Sequence, residues 1–261
     1  MKTHRRKFLG LAGGAVVGSL VFRARPARGE KVANRIEAVG FDAFTVLDGR
    51  PVVAAAEQLV PGQGTKLVEI WRNRLFEYSW LRVVGRRYAD FETVSAEALA
   101  YSAAALKLNL SSQVQHAFLD ATVRLPAWPE AAQVLKDLRA RGLKLAFLSN
   151  FSPRMLASVS RSSGLEGLLE SLSTDAVRTY KPDPKAYHLA VDSFGVPKER
   201  IAFVANGAWD AVGGAWFGFP TFWINRTGIP REELAAASYT TLTSLSPLPE
   251  LLAAGTTARS R

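Results

Sequence analysis

Apolar positions along this chain follow two periods, and the switch between them divides the sequence. Ile36 to Phe41, Leu143 to Leu148, Leu169 to Ser173, Ile201 to Val204 and Thr221 to Ile224 are short, mostly apolar runs bounded by turn-forming residues. Runs of that kind predict strands buried on both faces, as in a parallel sheet, with Leu169 to Ser173 the weakest of the five. Glu130 to Arg141, Pro153 to Ser163, Pro184 to Phe194 and a stretch ending at Phe217 instead repeat apolar residues at helical spacing, and Gly142 and Gly164 stand just beyond the first two. Strands that alternate with helices predict a doubly wound α/β sheet with right-handed crossovers.

Between Val52 and Leu125 the period is helical throughout. Leu67, Ile70, Trp71, Leu75, Tyr78 and Leu81 recur at helical spacing, Ser95 to Leu106 and Val114 to Val123 repeat the pattern, and Pro61-Gly62-Gln63-Gly64 is the one obvious break. A helical insert therefore follows the first strand directly. The expected organisation is a Rossmann-like core of residues 34–51 and 126–253, a helical cap of residues 52–125, and a small, polar, basic tail of residues 254–261 that is expected to be flexible.

Composition changes this picture at one end only. A chain of 261 residues with 48% hydrophobic content can bury a full core. The formal charge of +10 would ordinarily suggest nucleic acid or an anionic surface, but seven of the basic residues (Lys2, Arg5, Arg6, Lys7, Arg23, Arg25, Arg28) precede residue 30 with no acid among them. The remainder carries +3, so no nucleic-acid partner is expected. Thr3-His4-Arg5-Arg6-Lys7-Phe8-Leu9 resembles the twin-arginine consensus, and Phe8 to Phe22 is a Gly-rich apolar stretch too short for a comfortable membrane span. Residues 1–29 thus read as an export signal, with cleavage near Ala27 to Gly29, the twin-arginine machinery as a partner and a periplasmic or secreted destination. An uncleaved anchor is the alternative. The absence of cysteine leaves the redox compartment open.

The residues that could carry chemistry stand where strands end. Asp42 follows the first strand, Ser149-Asn150 the second, Lys181 lies in Tyr180-Lys181-Pro182-Asp183, and Asp210 follows Ile201 to Val204. Taken singly, each has an ordinary reading: a turn aspartate, a helix cap, a solvated lysine, an acid in a first helical turn. Open α/β sheets bring such strand ends together, so the four predict one shared site with Asp42 as its nucleophile.

The order of these residues resembles the haloacid dehalogenase superfamily and, within it, the (S)-2-haloacid dehalogenases. Asp42, Ser149-Asn150, Lys181 and Asp210 carry the broader pattern. The narrower one lies in Trp71-Arg72, Phe76-Glu77-Tyr78-Ser79-Trp80-Leu81-Arg82, Tyr180-Lys181-Pro182-Asp183, Ala208-Trp209-Asp210 and Trp223-Ile224-Asn225-Arg226-Thr227-Gly228, and the likeness runs from about Glu37 to Leu251. It implies a cap that closes over the site and hydrolysis of small (S)-2-haloalkanoic acids to (R)-2-hydroxy acids through an ester on Asp42, with no cofactor. It also implies that Lys181 and Ser149 receive the substrate carboxylate, that Arg72 and Asn150 receive the halide, and that Asp210 holds Lys181 and helps to position water. Tyr187 matches a position near the site and reads equally as a core aromatic. A homodimer is implied as well; the helix from Trp71 to Trp80 offers it a surface, or else forms cap core.

Phosphatases of the superfamily carry a second Asp two residues after the nucleophile, where this chain has Phe44, so no metal is expected. Two loops also depart from the dehalogenase pattern. Asp-x-Tyr-Gly-Thr-Leu becomes Asp42-Ala43-Phe44-Thr45-Val46-Leu47, and Ser-x-Asn-Ala-Trp-Asp becomes Ala205-Asn206-Gly207-Ala208-Trp209-Asp210. Val46, Ala205 and Gly207 therefore lack polar groups that orient the nucleophile and the water in relatives. In one reading Thr45 and Asn206 substitute for them, giving a dehalogenase of altered rate or range. In another the fold binds a small carboxylate without turnover or acts on something else; a phosphatase is the remaining alternative.

Overall fold

The computed structural model describes residues 35–235 and 237–254. The expected export signal lies outside the described residues, as does the expected tail beyond Ala254. In chain order the elements are β1 (Ala38–Phe41), α1 (Ala43–Val46), α2 (Pro51–Leu59), α3 (Gly64–Val84), α4 (Phe91–Ala105), α5 (Ser112–Ala121), α6 (Ala131–Ala140), β2 (Lys144–Ser149), α7 (Pro153–Ser162), β3 (Glu170–Ser173), α8 (Pro184–Phe194), β4 (Ile201–Ala205), α9 (Ala208–Phe217), β5 (Thr221–Ile224), β6 (Thr240–Leu242) and α10 (Leu248–Ala253).

The strands form one sheet in the order β3-β2-β1-β4-β5-β6, with every pairing parallel. The order reverses at β1, whose last residue, Phe41, stands opposite Phe147 of β2 and Val204 of β4. In a doubly wound sheet the crevice beyond the carboxyl ends of the strands opens at such a reversal.

Side chains alternate cleanly across the sheet, as a two-residue period requires. Val39, Phe41, Leu145, Phe147, Ala202, Val204, Phe222 and Ile224 pack on one face with the apolar sides of α6, α7 and α10. Ala38, Ala146, Leu148, Ile201, Phe203, Ala205 and Trp223 pack on the other with α8 and α9. Both faces are covered, which explains why the strands read as continuous apolar runs. Close approach of α9 to the sheet needs a glycine: a Cβ at Gly214 would stand 2.5 Å from Cδ1 of Phe203.

The insert between α1 and α6 is helical, as its pattern predicts, and its caps are legible in hindsight. Asp90 accepts a hydrogen bond from the Thr93 N–H at 2.7 Å to start α4, and Ser111 caps α5 through the Val114 N–H. The insert breaks at 85–90 and 106–111 as well as at the predicted Pro61 to Gly64. Apolar residues at Val83, Val84, Leu106 and Leu108 hide those two breaks from a periodicity count. Three elements have no counterpart in the sequence reading: the single turn α1, the three-residue strand β6 and α10. β6 has only one apolar residue, Leu242, and is recognisable only by its partner β5.

Candidate active site

Four of the predicted residues converge at the carboxyl edge of the sheet. Asp42 is the first residue after β1 and caps α1, its Oδ2 accepting the Phe44 N–H at 3.1 Å. Lys181 reaches from the segment after β3 and donates from Nζ to Asp42 Oδ1 at 2.9 Å and to Asp210 Oδ2 at 2.6 Å. Asp210 lies in the first turn of α9, where the positive end of the helix favours an acid. The Tyr187 hydroxyl, from α8, donates to Asp210 Oδ1 at 2.7 Å. The Tyr187 ring packs on Phe203, Phe217 and Phe219, while its hydroxyl reaches the polar cluster.

Burial makes these contacts strong. The side chains of Lys181 and Asp210 are each 1% exposed, while that of Asp42 is 16% exposed and faces the opening. Burial opposes the charge on Lys181, but the carboxylates of Asp210 and Asp42 outweigh it and hold the lysine above its ordinary pKa. Asp210 moves in the unfavourable direction, up to about 6, because burial and the neighbouring Asp42 together exceed the help of Lys181 and Tyr187. Two carboxylates sharing one ammonium leave the second acid hard to ionise.

The end of β2 supplies further polar groups. Asn150 Oδ1 accepts from the Lys181 N–H at 2.9 Å and from the Thr174 hydroxyl at 3.3 Å. With donors on both of those sides, the amide must present its NH2 elsewhere. Ser149 is buried and accepts the Phe151 N–H at 3.1 Å, keeping its O–H to donate. Above this edge the insert touches the lysine segment: Tyr180 stacks near Tyr88 and Phe91, at 5.3 and 5.8 Å, and its hydroxyl donates to the Ala89 carbonyl. Tyr88 in turn donates to Asp175.

Other expected residues fall differently. Arg72 stands exposed on α3 and makes no hydrogen bond or ion pair with the described residues. The Thr45 hydroxyl binds the backbone carbonyl of Asp42 at 2.6 Å, leaving the carboxylate without it, so it does not replace the hydroxyl missing at Val46. Asn206 is exposed and contributes its backbone carbonyl, which accepts the Trp223 indole N–H at 3.0 Å. Neither substitution expected from the sequence is therefore made in this geometry. Instead, Trp209 fills the space at Gly207: a Cβ there would lie 2.8 Å from its Nε1. The Trp209 ring meets Phe76 and Trp80 of α3 at 5.2 and 5.5 Å, forming an aromatic wall between insert and sheet, and Phe44 packs on Phe151 at 5.6 Å.

Among the described residues no three His, Asp or Glu side chains converge in a way that could hold a metal ion. A cleft of about 590 Å³ elsewhere, lined by Glu92, Asp120, Arg154 and Arg161 among others, shares no residue with this site.

The family model for haloacid dehalogenase-like hydrolases matches residues 36–218. The chain belongs to that family. This hydrolase is 39% identical over 218 residues, 83% of its length and 94% of the relative's, to an (S)-2-haloacid dehalogenase from Pseudomonas sp. (strain YL). It is 38% identical over 222 residues, 84% of its length and 99% of the relative's, to haloacetate dehalogenase H-2 from Moraxella sp. (strain B). A solved L-2-haloacid dehalogenase superposes with a TM-score of 0.80 at 42% identity, covering 84% of this chain and 99% of that one. The L-2-haloacid dehalogenase from Xanthobacter autotrophicus with chloropropionic acid covalently bound gives a TM-score of 0.77 at 33% identity, covering 84% and 98%.

Two residues of this hydrolase to which the sequence reading gave no role touch the nucleophile turn. Trp128 and Arg226 donate to carbonyls of α1. The available signals for Arg226 were its place in the motif Trp223 to Gly228 and its position just after β5, another strand end.

The Asp210 shift carries a pH prediction. Below about pH 6 the carboxyl is protonated and loses its ion pair with Lys181, so activity should rise with pH through that value. A raised acid also binds its proton more tightly in the folded chain, so its contribution to stability is present below the unfolded value of 3.8 and is lost as pH rises through about 6. Tyr187→Phe removes a hydrogen bond that favours the carboxylate, and the acid limb of the kcat profile should move to higher pH; an unmoved limb would assign it to another group.

Proposed function

We propose that this chain hydrolyses small (S)-2-haloalkanoic acids to (R)-2-hydroxy acids through an ester on Asp42. The observation that carries the reading is Lys181, buried between Asp42 and Asp210 at the carboxyl edge of the sheet. The named relatives, and the covalently bound chloropropionic acid in the Xanthobacter enzyme, support the same chemistry.

An anionic substrate approaching an anionic nucleophile needs a cation, and Lys181 supplies it together with the free O–H of Ser149. Lys181 and the Phe44 N–H hold one carboxylate oxygen each and so fix the plane of Asp42. A carboxylate oxygen attacks C2; the carbon–halogen bond breaks as the new C–O bond forms on the opposite side, and halide leaves with the bonding pair. The Asn150 NH2, and Arg72 if it turns inward from α3, are the donors that receive it. Water then adds to the ester carbonyl of Asp42, the alkyl oxygen leaves as the 2-hydroxy acid, and a proton passes to solvent. Asp210, fixed by Tyr187, keeps Lys181 charged throughout. Phe76 and Trp80 of the insert pack on Trp209, the residue before Asp210, and so set apolar rings beside the turn that carries it.

A second reading, a carboxylate-binding protein without turnover, is favoured by the Thr45 hydroxyl lying on a backbone carbonyl and by the loss of side-chain donors at Ala205 and Gly207. The expected result for the enzyme is halide release from (S)-2-chloropropionate in the presence of EDTA, abolished by Asp42→Asn. No release from the folded wild-type chain, with binding retained in both forms, would establish the second reading.

Export and self-association enter as separate proposals. Arg5-Arg6 and the apolar stretch after them support twin-arginine export to the periplasm; replacing both with Lys should retain the protein in the cytoplasm, and continued export would overturn the proposal. The exposed Leu81 and Val84 at the end of α3 support a homodimer, which light scattering would refute by returning the monomer mass.

A further inference from the structure

We propose that Arg226, stacked on Trp128, is a positioning residue that holds the turn carrying Asp42 in its reactive geometry. The proposal rests on the reading of Asp42 as nucleophile.

α1 is a helix of four residues, too short to hold itself by its own hydrogen bonds. A helix leaves its last four carbonyls without intrahelical partners, and here that is every carbonyl of the element. One is closed locally, since Leu47 N–H donates to the Ala43 carbonyl at 3.0 Å. The other three are taken by two residues from elsewhere. Trp128 Nε1 donates to the Phe44 carbonyl at 3.4 Å, Arg226 Nη2 to the Thr45 carbonyl at 3.3 Å, and the Trp128 backbone N–H to the Val46 carbonyl at 2.9 Å.

Those two residues form one unit. The Arg226 guanidinium lies 4.0 Å from the centre of the Trp128 ring, its Nη2 is 2.7 Å from Glu130 Oε1, and its side chain is 15% exposed. Glu130 stays ionised: burial would raise its pKa, but its own backbone N–H and Arg226 together pull it below the usual carboxylate value. A second guanidinium, that of Arg50, lies 4.7 Å from the same ring and is paired through its Nη2 with Asp48 at 2.7 Å. Arg226 comes from the loop after β5, whereas Trp128 and Glu130 belong to the segment leading from the insert into α6. The brace therefore ties two distant stretches of chain to the turn behind the nucleophile.

This arrangement bears on chemistry through Phe44. Its N–H fixes Asp42 Oδ2, and with a valine at position 46 and the Thr45 hydroxyl engaged elsewhere, α1 gives the carboxylate no second donor. If α1 loosens, Phe44 moves and only Lys181 still aims the carboxylate. Displacement at carbon demands alignment, and a misplacement near 1 Å can cost about a hundredfold in rate.

The test compares wild type, Arg226→Ala and Arg226→Lys in halide release from (S)-2-chloropropionate and in hydrogen exchange of the peptide spanning residues 42–48. Arg226→Ala should lower kcat about a hundredfold while KM changes less than about threefold, as expected for lost alignment rather than lost binding. Exchange in that peptide should quicken while the sheet keeps its protection. Arg226→Lys, which keeps the charge for Glu130 but lacks the planar fork, should recover part of kcat. A kcat loss below about tenfold, a KM that rises in step with the loss, or unchanged exchange would each overturn the proposal. If Arg226→Ala fails to fold, Trp128→Phe, which removes the indole donor to Phe44 and narrows the ring on which Arg226 stacks, is held to the same criteria. If the wild type releases no halide, the functional reading fails by itself and the exchange comparison alone decides the brace.

Discussion

One ammonium group, Lys181 Nζ, buried between two carboxylates, is the contact on which the site depends. Removing a charged group from water costs several kcal/mol even after relaxation, and a buried ion pair offsets this only when its geometry is good and its remaining hydrogen bonds are filled. Here the two carboxylates lie at 2.9 and 2.6 Å, and the far oxygen of each is also occupied, by the Phe44 N–H on Asp42 and by the Tyr187 hydroxyl on Asp210. The arrangement adds little to stability by itself; its effect is to fix a charge where an anionic substrate and an anionic nucleophile must meet.

Much of the surrounding fold locates that charge. The Lys181 N–H is bound to Asn150 at the end of β2, and Tyr180 beside it packs against the insert through Tyr88, Phe91 and the Ala89 carbonyl. On the other side of the opening, α3 meets Trp209 through Phe76 and Trp80. The insert thus contacts both the lysine segment and the start of α9. The positions where the chain departs from the expected dehalogenase pattern lie in the loops after β1 and β4, and at one of them, Gly207, the Trp209 ring occupies the space a Cβ would need.

The sheet was legible because strands covered on both faces must be apolar throughout, and the core positions Phe41, Phe147, Val204 and Ile224 obey that rule. Asp42, Ser149-Asn150, Lys181 and Asp210 were legible because strand ends in a doubly wound sheet converge. What escaped were contacts made by the backbone or set by tertiary packing. Nothing in the sequence distinguishes a Thr45 hydroxyl that binds a carbonyl from one that binds a carboxylate. β6, with one apolar residue, has no periodicity to read, and α1, a single turn, is held in part by the donors that Trp128 and Arg226 bring to its carbonyls from elsewhere in the chain. Arg72 illustrates the converse: its motif is clear, yet its side chain stands in solvent on α3.

The most direct test of the account is where the oxygen of water goes. Repeated turnover of (S)-2-chloropropionate in heavy-oxygen water, followed by mass spectrometry of the peptide containing Asp42, should show label accumulating in that carboxylate, because water attacks the ester carbonyl and its oxygen reaches product only in the next cycle. Label appearing in the 2-hydroxy acid from the first turnover, with none retained on Asp42, would mean that water attacks the substrate carbon directly and would contradict a nucleophilic role for Asp42.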